Sequence, residues 1–320
     1  MTVKNKIKLI TVLGPTASGK TALSVEIAKA FNCEIISADS MQIYKGMNIA
    51  TAKPTKDEMQ SITHHLIDIV ESDKKYSVAQ FVADARKAID EISARGKTPL
   101  ICGGTGLYID SLLNNIDFST ENSDENLRTQ LQITAQEKGA DHLLELLSEF
   151  DIESAKRLSK EKNVKRIIRA IEVFKTTGIT QTEQNKIALK NESPYDSVKI
   201  GLTCKDRQKL YDRINLRVDN MIKDGLLAEC EQVISKPLSK TAVMAIGYKE
   251  LIPYFKGEKT LSECIEKLKT ETRRYAKRQL TWFRRDESIN WVYTDTFESK
   301  NEMYKYVFSL LEKEGFVKNG

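Results

Sequence analysis

The sequence predicts an α/β fold, a parallel sheet with helices on both faces, interrupted once by an all-helical insertion. Three observations carry that prediction. A short apolar run, a glycine-rich loop and an amphipathic stretch follow one another over residues 7–31. Strand-type and helix-type segments then alternate to about residue 115, which is the pattern of a parallel sheet. From 117 to 196 strand character is missing, and it returns only at "YDSVKIGLTC".

The elements follow in order. "IKLITVL" is the first strand and "TALSVEIAKAF" the first helix. Between them "GPTASGKT" fits G-x-x-x-x-G-K-[ST], with Gly14, Gly19, Lys20 and Thr21 in the fixed places. Strand, glycine loop and helix in that order make the sheet P-loop NTPase-like. "CEIISAD" and "TPLICGG" are further strands, with the long amphipathic helix "SVAQFVADARKAIDEISA" between them. Ligands of such sheets gather at the carboxyl ends of the strands. The expected site loops are therefore "GPTASGKT", "ADSMQIYKG" and "GGTGLY". After the helical block come the helices "DRQKLYDRINLRVDNMIKDG" and "LSECIEKLKTETRRYAKRQLTWFRR", the strand "INWVYT" and a terminal helix. The expected domains are a core from 1–116, a helical insertion over 117–196 and the rest of the core over 197–320.

Composition bounds the class. With 40% hydrophobic and 30% charged residues, the chain reads as an ordinary globular protein. No apolar run reaches the roughly 18 residues of a membrane span, and the N-terminus lacks the apolar stretch of a signal peptide. A cytoplasmic protein without a membrane partner is expected, and a monomer is the default. The five cysteines are scattered without a C-x-x-C pair, as reduced, buried thiols would be. Three histidines are too few for a histidine-built zinc site. His64 and His65, adjacent in sequence, cannot share a helix face and are assigned a structural role.

The loop from Gly14 through Pro15, Thr16, Ala17, Ser18 and Gly19 to Lys20 and Thr21 is built for anionic oxygens. Its glycines let consecutive N–H groups point at one anion, and the following helix N-terminus adds positive potential. Lys20 contributes a point charge, and the Thr21 hydroxyl suits a Mg²⁺ that bridges two phosphates. The ligand is then a diphosphate or triphosphate. Kinases, NTPases and enzymes that expel pyrophosphate all use such a cradle.

The modest net charge of +5 is unevenly spread. At about 100° per residue, Arg273, Lys277 and Arg284 fall within about 40° of one another, and Arg274, Arg278 and Arg285 widen the arc to about 140°. That face of "TRRYAKRQLTWFRR" is free of carboxylates, as phosphate binding would require. In "NVKRIIRAIEVF", Val164, Ile167, Ile168 and Ile171 form a packed stripe while Lys165, Arg166 and Arg169 lie off it. Two separated basic helices suit a long polyanion such as RNA better than a nucleotide.

At this point an ordered set of segments resembles the bacterial tRNA dimethylallyltransferases. These are "GPTASGKT", "SADSMQIYKGMNIATAKP", "HHLIDI", "GGTGLY", "YDRINLRVDNMIKDGL", "AIGYKEL" and "TRRYAKRQLTWFRRD", spanning residues 8 to about 286. The resemblance implies transfer of the five-carbon group of dimethylallyl diphosphate to N6 of the adenosine 3′ of the anticodon, position 37. It implies dimethylallyl diphosphate and the tRNA anticodon stem-loop as partners and Mg²⁺ as cofactor. Arg217 matches an arginine that reaches the diphosphate. Asp39, at a strand end, suits either a Mg²⁺ ligand or a general base, and the resemblance favours the base. Ser40, Met41 and Gln42 would line the adenine, and Thr105 would bond the base or nearby backbone. The tRNA contacts carried over are Arg128, the "KRIIR" stretch (Lys165, Arg166, Ile167, Ile168, Arg169), and Arg273, Lys277 and Arg278. Val243, Met244 and Arg274 depart from the family pattern. Two other classes compete: a P-loop kinase, and an RNA-binding protein that uses the loop structurally.

Overall fold

The computed structural model describes residues 6–116, 124–190, 192–239 and 241–319; the first residues of the expected insertion, 117–123, lie outside them. The chain forms two compact units, one of 1–113 with 194–320 and the other of 114–193.

The first unit is the sheet domain. Its elements before the break are β1 (Ile7–Leu13), α1 (Lys20–Ala30), β2 (Cys33–Ala38), α2 (Lys56–Met59), β3 (His64–His65), α3 (Val78–Ala94), β4 (Thr98–Gly103) and α4 (Gly106–Leu113). The second unit holds α5 (Glu125–Ser148), broken at Gly139, then α6 (Ile152–Ser159), α7 (Val164–Thr177) and α8 (Gln181–Lys190). The chain returns through β5 (Tyr195–Thr203), α9 (Arg207–Lys223), α10 (Leu226–Ile234), α11 (Ile252–Phe255), α12 (Leu261–Phe283), β6 (Asn290–Tyr293) and α13 (Lys300–Lys313).

Two expected boundaries shift. The one drawn between 196 and 197 cuts through β5, whose Tyr195 already pairs with Ile7 of β1. The first crossing falls after Leu113, where α4 ends and Asn115 takes a left-handed turn.

The sheet has the order β3-β2-β4-β1-β5-β6 and every pairing is parallel. Leu9, Ile10, Val12, Leu13, Ile35, Ile36, Leu100, Ile101, Ile200 and Leu202 are buried, as strands covered on both faces require. Burial of Glu34 in β2 is tolerated because Arg95, Lys97 and His65 surround its carboxylate, which is held down at about 2 despite desolvation. β3, the "HH" pair, has no apolar alternation to announce it; backbone pairing with Ile35 and Ile36 makes it a strand. Its histidines are structural: His65 bonds Glu34 and His64 Nδ1 bonds the carbonyl of Ile62.

Register positions the site. Leu13 of β1 stands level with Gly103 of β4, and Gly103 with Ala38 of β2. The three loops that follow these strands therefore leave the sheet at one edge. Gly103 allows this closeness, because a Cβ there would sit 2.2 Å from the Ala38 carbonyl oxygen. Helix α12, started by a Thr260–Glu263 capping box, packs beside α9 and α4.

In the helical unit Leu131, Leu143, Leu147, Leu158, Ile167, Ile168 and Ile171 form a separate core. No helix among the described residues is long and apolar enough to cross a membrane.

Candidate active site

A cleft of about 290 Å³ opens at the carboxyl edge of the sheet. Its lining includes Thr16, Lys20 and Thr21 from the phosphate loop, Asp39 to Gln42, Gly103 and Gly104, and Arg217. A second cavity takes in Ala17 to Ala22, Asn48, Ile49 and Arg213. Lys20, Thr21, Ala52, Arg217 and Met221 border both, so the two hollows share a wall.

The loop residues divide by task. Gly14 and Pro15, expected to bind the diphosphate with the rest of the loop, are buried and border neither cavity. Gly14 instead lets the loop pass over β5: φ is +144°, and a Cβ would meet the Leu202 carbonyl oxygen at 2.2 Å. The Thr16 N–H is likewise committed, donated to Gln279 Oε1 at 2.9 Å. Ala17 through Thr21 line the second cavity. The Ser18 hydroxyl there is buried and has no hydrogen-bond partner among the described residues.

Two cations of the shared wall, Lys20 and Arg217, lie within electrostatic reach of Asp39, which lines the first cleft. Lys20 Nζ donates to the Pro15 carbonyl at 2.7 Å, and desolvation lowers its pKa to about 8. Arg217, on α9, is pushed down from its usual value by burial, partly opposed by Asp39 and Glu58. Cations held at such a cost are favourable places for an anion.

Asp39 follows β2 directly. Its Oδ1 accepts the N–H groups of Met41 at 2.9 Å and Gln42 at 3.4 Å, an Asx turn that leaves Oδ2 outside both bonds. Thr105 Oγ1 accepts the Ser40 N–H at 3.1 Å, and the Thr105 N–H bonds the Ala38 carbonyl at 3.2 Å. The Tyr275 side chain lies near Thr105 and lines the same cleft. Thr105 therefore ties two site loops together. Gln42 lines the cleft and is also a fastener. Its Oε1 accepts the Ser37 hydroxyl, and both amide hydrogens go to the carbonyls of Thr51 and Ala52, so it fastens a loop.

Helix α12 is also sorted by the structure. Leu268, Thr272, Tyr275 and Gln279 recur at helical spacing and face the cleft, with Arg278 beside them. The basic arc is less uniform than expected. Arg274 pairs with Glu271, one turn earlier and outside the stretch first considered. Arg273 turns to Asn215 of α9 at 2.6 Å and to Thr270, so it braces two helices. Lys277 and Arg278 are exposed.

In the helical unit, Ile167 and Ile168 are 0% and 4% exposed and belong to the core, which removes them from any RNA-facing surface. Arg128 and Arg169 each pair at 2.8 Å with the buried Glu172. Arg166 pairs with Glu161, and Lys165 is exposed.

Sequence reasoning passed over Gln279, Tyr275, Val218, Met221 and Leu268. The spacing of Leu268, Thr272, Tyr275 and Gln279 held a signal for three of these places, masked by the arginines between them.

The comparisons with known proteins agree on one family. The model described as IPP transferase matches residues 42–286. A tRNA dimethylallyltransferase of Acetivibrio thermocellus is 48% identical over 299 residues, covering 93% of this chain and 95% of that one. Another, of Bacillus cytotoxicus, is 48% identical over 313 residues and covers 98% of each chain. The crystal structure of a full-length tRNA isopentenylpyrophosphate transferase from Bacillus halodurans superposes with a TM-score of 0.71 at 42% identity, covering 96% of this chain and 98% of that one. A eukaryotic dimethylallyltransferase acting on tRNA gives 0.78 at 27% identity, covering 94% and 78%. With a sheet edge, phosphate loop and acidic loop of this form, and with relatives matched over nearly their whole length, the chain belongs to the IPP transferase family.

Proposed function

We propose that this protein transfers the dimethylallyl group of dimethylallyl diphosphate to N6 of the adenosine 3′ of the anticodon, position 37, in tRNA. Pyrophosphate leaves and N6-dimethylallyladenosine forms. The observation that carries the reading is the meeting of Lys20, Arg217 and Asp39 around one cleft. Two desolvated cations suit a leaving group that gains charge, and a carboxylate with one oxygen outside its turn suits an amine that must lose a proton.

Cleaving the allylic C–O bond leaves positive character on carbon and adds negative charge to pyrophosphate. Lys20, Arg217 and the loop N–H groups interact more strongly with the departing pyrophosphate than with the ester, which lowers the barrier. Thr21, a hard oxygen donor on the shared wall, is the residue that would hold Mg²⁺. That ion would otherwise bind through the diphosphate and neutralise part of its charge. Val218, Met221 and Leu268 give the cleft an apolar side for the five-carbon chain.

The adenine amine is a poor nucleophile because its lone pair is delocalised into the ring. Asp39 Oδ2 accepts its proton as the N–C bond forms. A stacked base cannot enter a cleft of this size, so the adenosine leaves the anticodon-loop stack to react. The exposed Lys165, Lys277 and Arg278 are available to RNA phosphates. A monomer in the cytoplasm is the working state in this reading.

Mass spectrometry of tRNA incubated with the protein, dimethylallyl diphosphate and Mg²⁺ tests the proposal. The expected result is one five-carbon unit on the adenosine 3′ of the anticodon. Unaltered tRNA, with label passing from γ-labelled ATP to another acceptor, would make the protein a kinase instead.

A further inference from the structure

Glu229 lies in the first turn of α10 and borders neither cavity. Its carboxylate nevertheless gathers three consecutive backbone amides. Oε2 accepts from Asn48 at 2.9 Å and Ile49 at 2.8 Å, and Oε1 accepts from Ile49 and Ala50 at 3.0 Å each. Oε1 also takes the Tyr248 hydroxyl at 2.8 Å. Nearby, Gly247 lies so close to Ala50 that a Cβ on it would fall 2.8 Å from the Ala50 Cβ. Gln42 grips the same segment from its carbonyl side, at Thr51 and Ala52.

These contacts join two walls of the cleft. Ala50, Thr51 and Ala52 form one, and Met244 to Gly247 form another. We infer that Glu229 is a positioning residue for the acceptor step, fixing the separation of the walls between which the adenosine passes to reach the diphosphate. The identity of the acceptor rests on the prenyl transfer proposed above. The charge matters as well as the shape. Charge-assisted bonds are the stronger kind, and a glutamine has only one oxygen to offer, with its NH₂ turned toward amide donors. Asn48 and Ile49 also border the second cavity beside the loop, but the groups that would hold the diphosphate are Lys20, Arg217 and the loop amides, none of which bonds Glu229, so its loss falls mainly on the acceptor side.

The test uses the full chain carrying Glu229→Gln, with Glu229→Ala as a harsher variant. Three quantities are read: hydrogen exchange at the amides of 48–50, calorimetric binding of inorganic pyrophosphate, and kcat and KM with varied tRNA. For Glu229→Gln the amides should exchange about tenfold faster or more, and kcat/KM for tRNA should fall by at least about tenfold. Pyrophosphate affinity should stay within about threefold of the parent, with the melting temperature little changed. Amides that exchange at the parent rate, or pyrophosphate binding that falls as far as the tRNA constant, would overturn the assignment. Failure of Glu229→Ala to fold would leave the glutamine variant to decide. If the unmodified protein leaves tRNA unaltered, the proposed function fails instead, and the exchange rates still decide whether Glu229 clamps the wall.

Discussion

Gln279 Oε1 accepts the backbone N–H of Thr16 at 2.9 Å, so one buried amide on α12 holds the phosphate loop in place. The same side chain donates to the Gly104 carbonyl at 2.9 Å and therefore sets the loop against the end of β4. Gln279→Leu would leave the part-buried Thr16 donor and the buried Gly104 acceptor unpaired, the buried one costing about 1–3 kcal/mol. The expected outcome is a lower melting temperature together with weaker pyrophosphate binding, because the cradle loosens. Thermal denaturation with and without pyrophosphate measures both. A leucine variant that melts and binds like the parent would show the pin to be dispensable.

As the proposed general base, Asp39 allows its turn-forming and proton-accepting roles to be separated. Asp39→Asn keeps an oxygen to accept the Met41 and Gln42 amides, so the turn survives while the base is lost. Single-turnover prenyl transfer should slow by about 10²-fold or more, the usual scale for removing a general base. Pyrophosphate affinity should hold or improve, since a negative charge near the anion has gone. If the asparagine variant turns over within about threefold of the parent, the proton goes elsewhere.

Lys20 predicts a pH dependence with a definite sign. Burial lowers its pKa to about 8, so the free protein loses this cation as pH rises through that value. A bound anion favours the charged form and raises the pKa in the complex. Pyrophosphate affinity should therefore be flat below pH 8 and weaken above it, by up to about tenfold per pH unit, until the pKa of the complex is reached. Calorimetric titrations between pH 7 and 10 would record this as proton uptake on binding. In Lys20→Met the affinity should be lower throughout and the step near 8 should vanish. A step of the same size in that variant would assign it to another group.

The site was legible in the sequence where its chemistry depends on local order. Gly14 to Thr21 must be contiguous to turn and point amides at one anion, and Asp39 to Gln42 must follow a strand directly, so both show in one dimension. Residues that act across the fold left weaker traces. Gln279 is separated from Thr16 by most of the chain, and a single glutamine among arginines carries no period of its own. Glu229 looks like an ordinary acidic residue in a helix's first turn until the fold brings residues 48–50 beneath it. The stretch "KRIIR" is divided by the fold. Its isoleucines pack in the core and Arg169 serves Glu172, while Lys165 and Arg166 are exposed. Charge on a helix could be counted from sequence, whereas its partners could not.

That distinction gives the helical unit its own prediction. Glu172 is fully buried and accepts the Asp124 N–H at 2.9 Å as well as Arg128 and Arg169. Breaking a fully buried ion pair costs about 3–5 kcal/mol; here the arginines are 39% and 31% exposed and either one can still serve the carboxylate, so the loss of one falls below that range. Glu172→Ala should unfold the helical unit at distinctly lower denaturant, and Arg128→Ala should destabilise it before any RNA is added. Lys165 is exposed, so Lys165→Ala should leave stability within about 0.5 kcal/mol. Its effect should appear only with tRNA, as weaker binding and a salt dependence shallower by about 0.7–0.9 in log–log slope, the share of one phosphate contact. Denaturant titrations beside filter binding at several salt concentrations separate the two behaviours. If Arg128→Ala leaves stability untouched while flattening the salt slope, Arg128 is an RNA contact after all and its pairing with Glu172 is incidental.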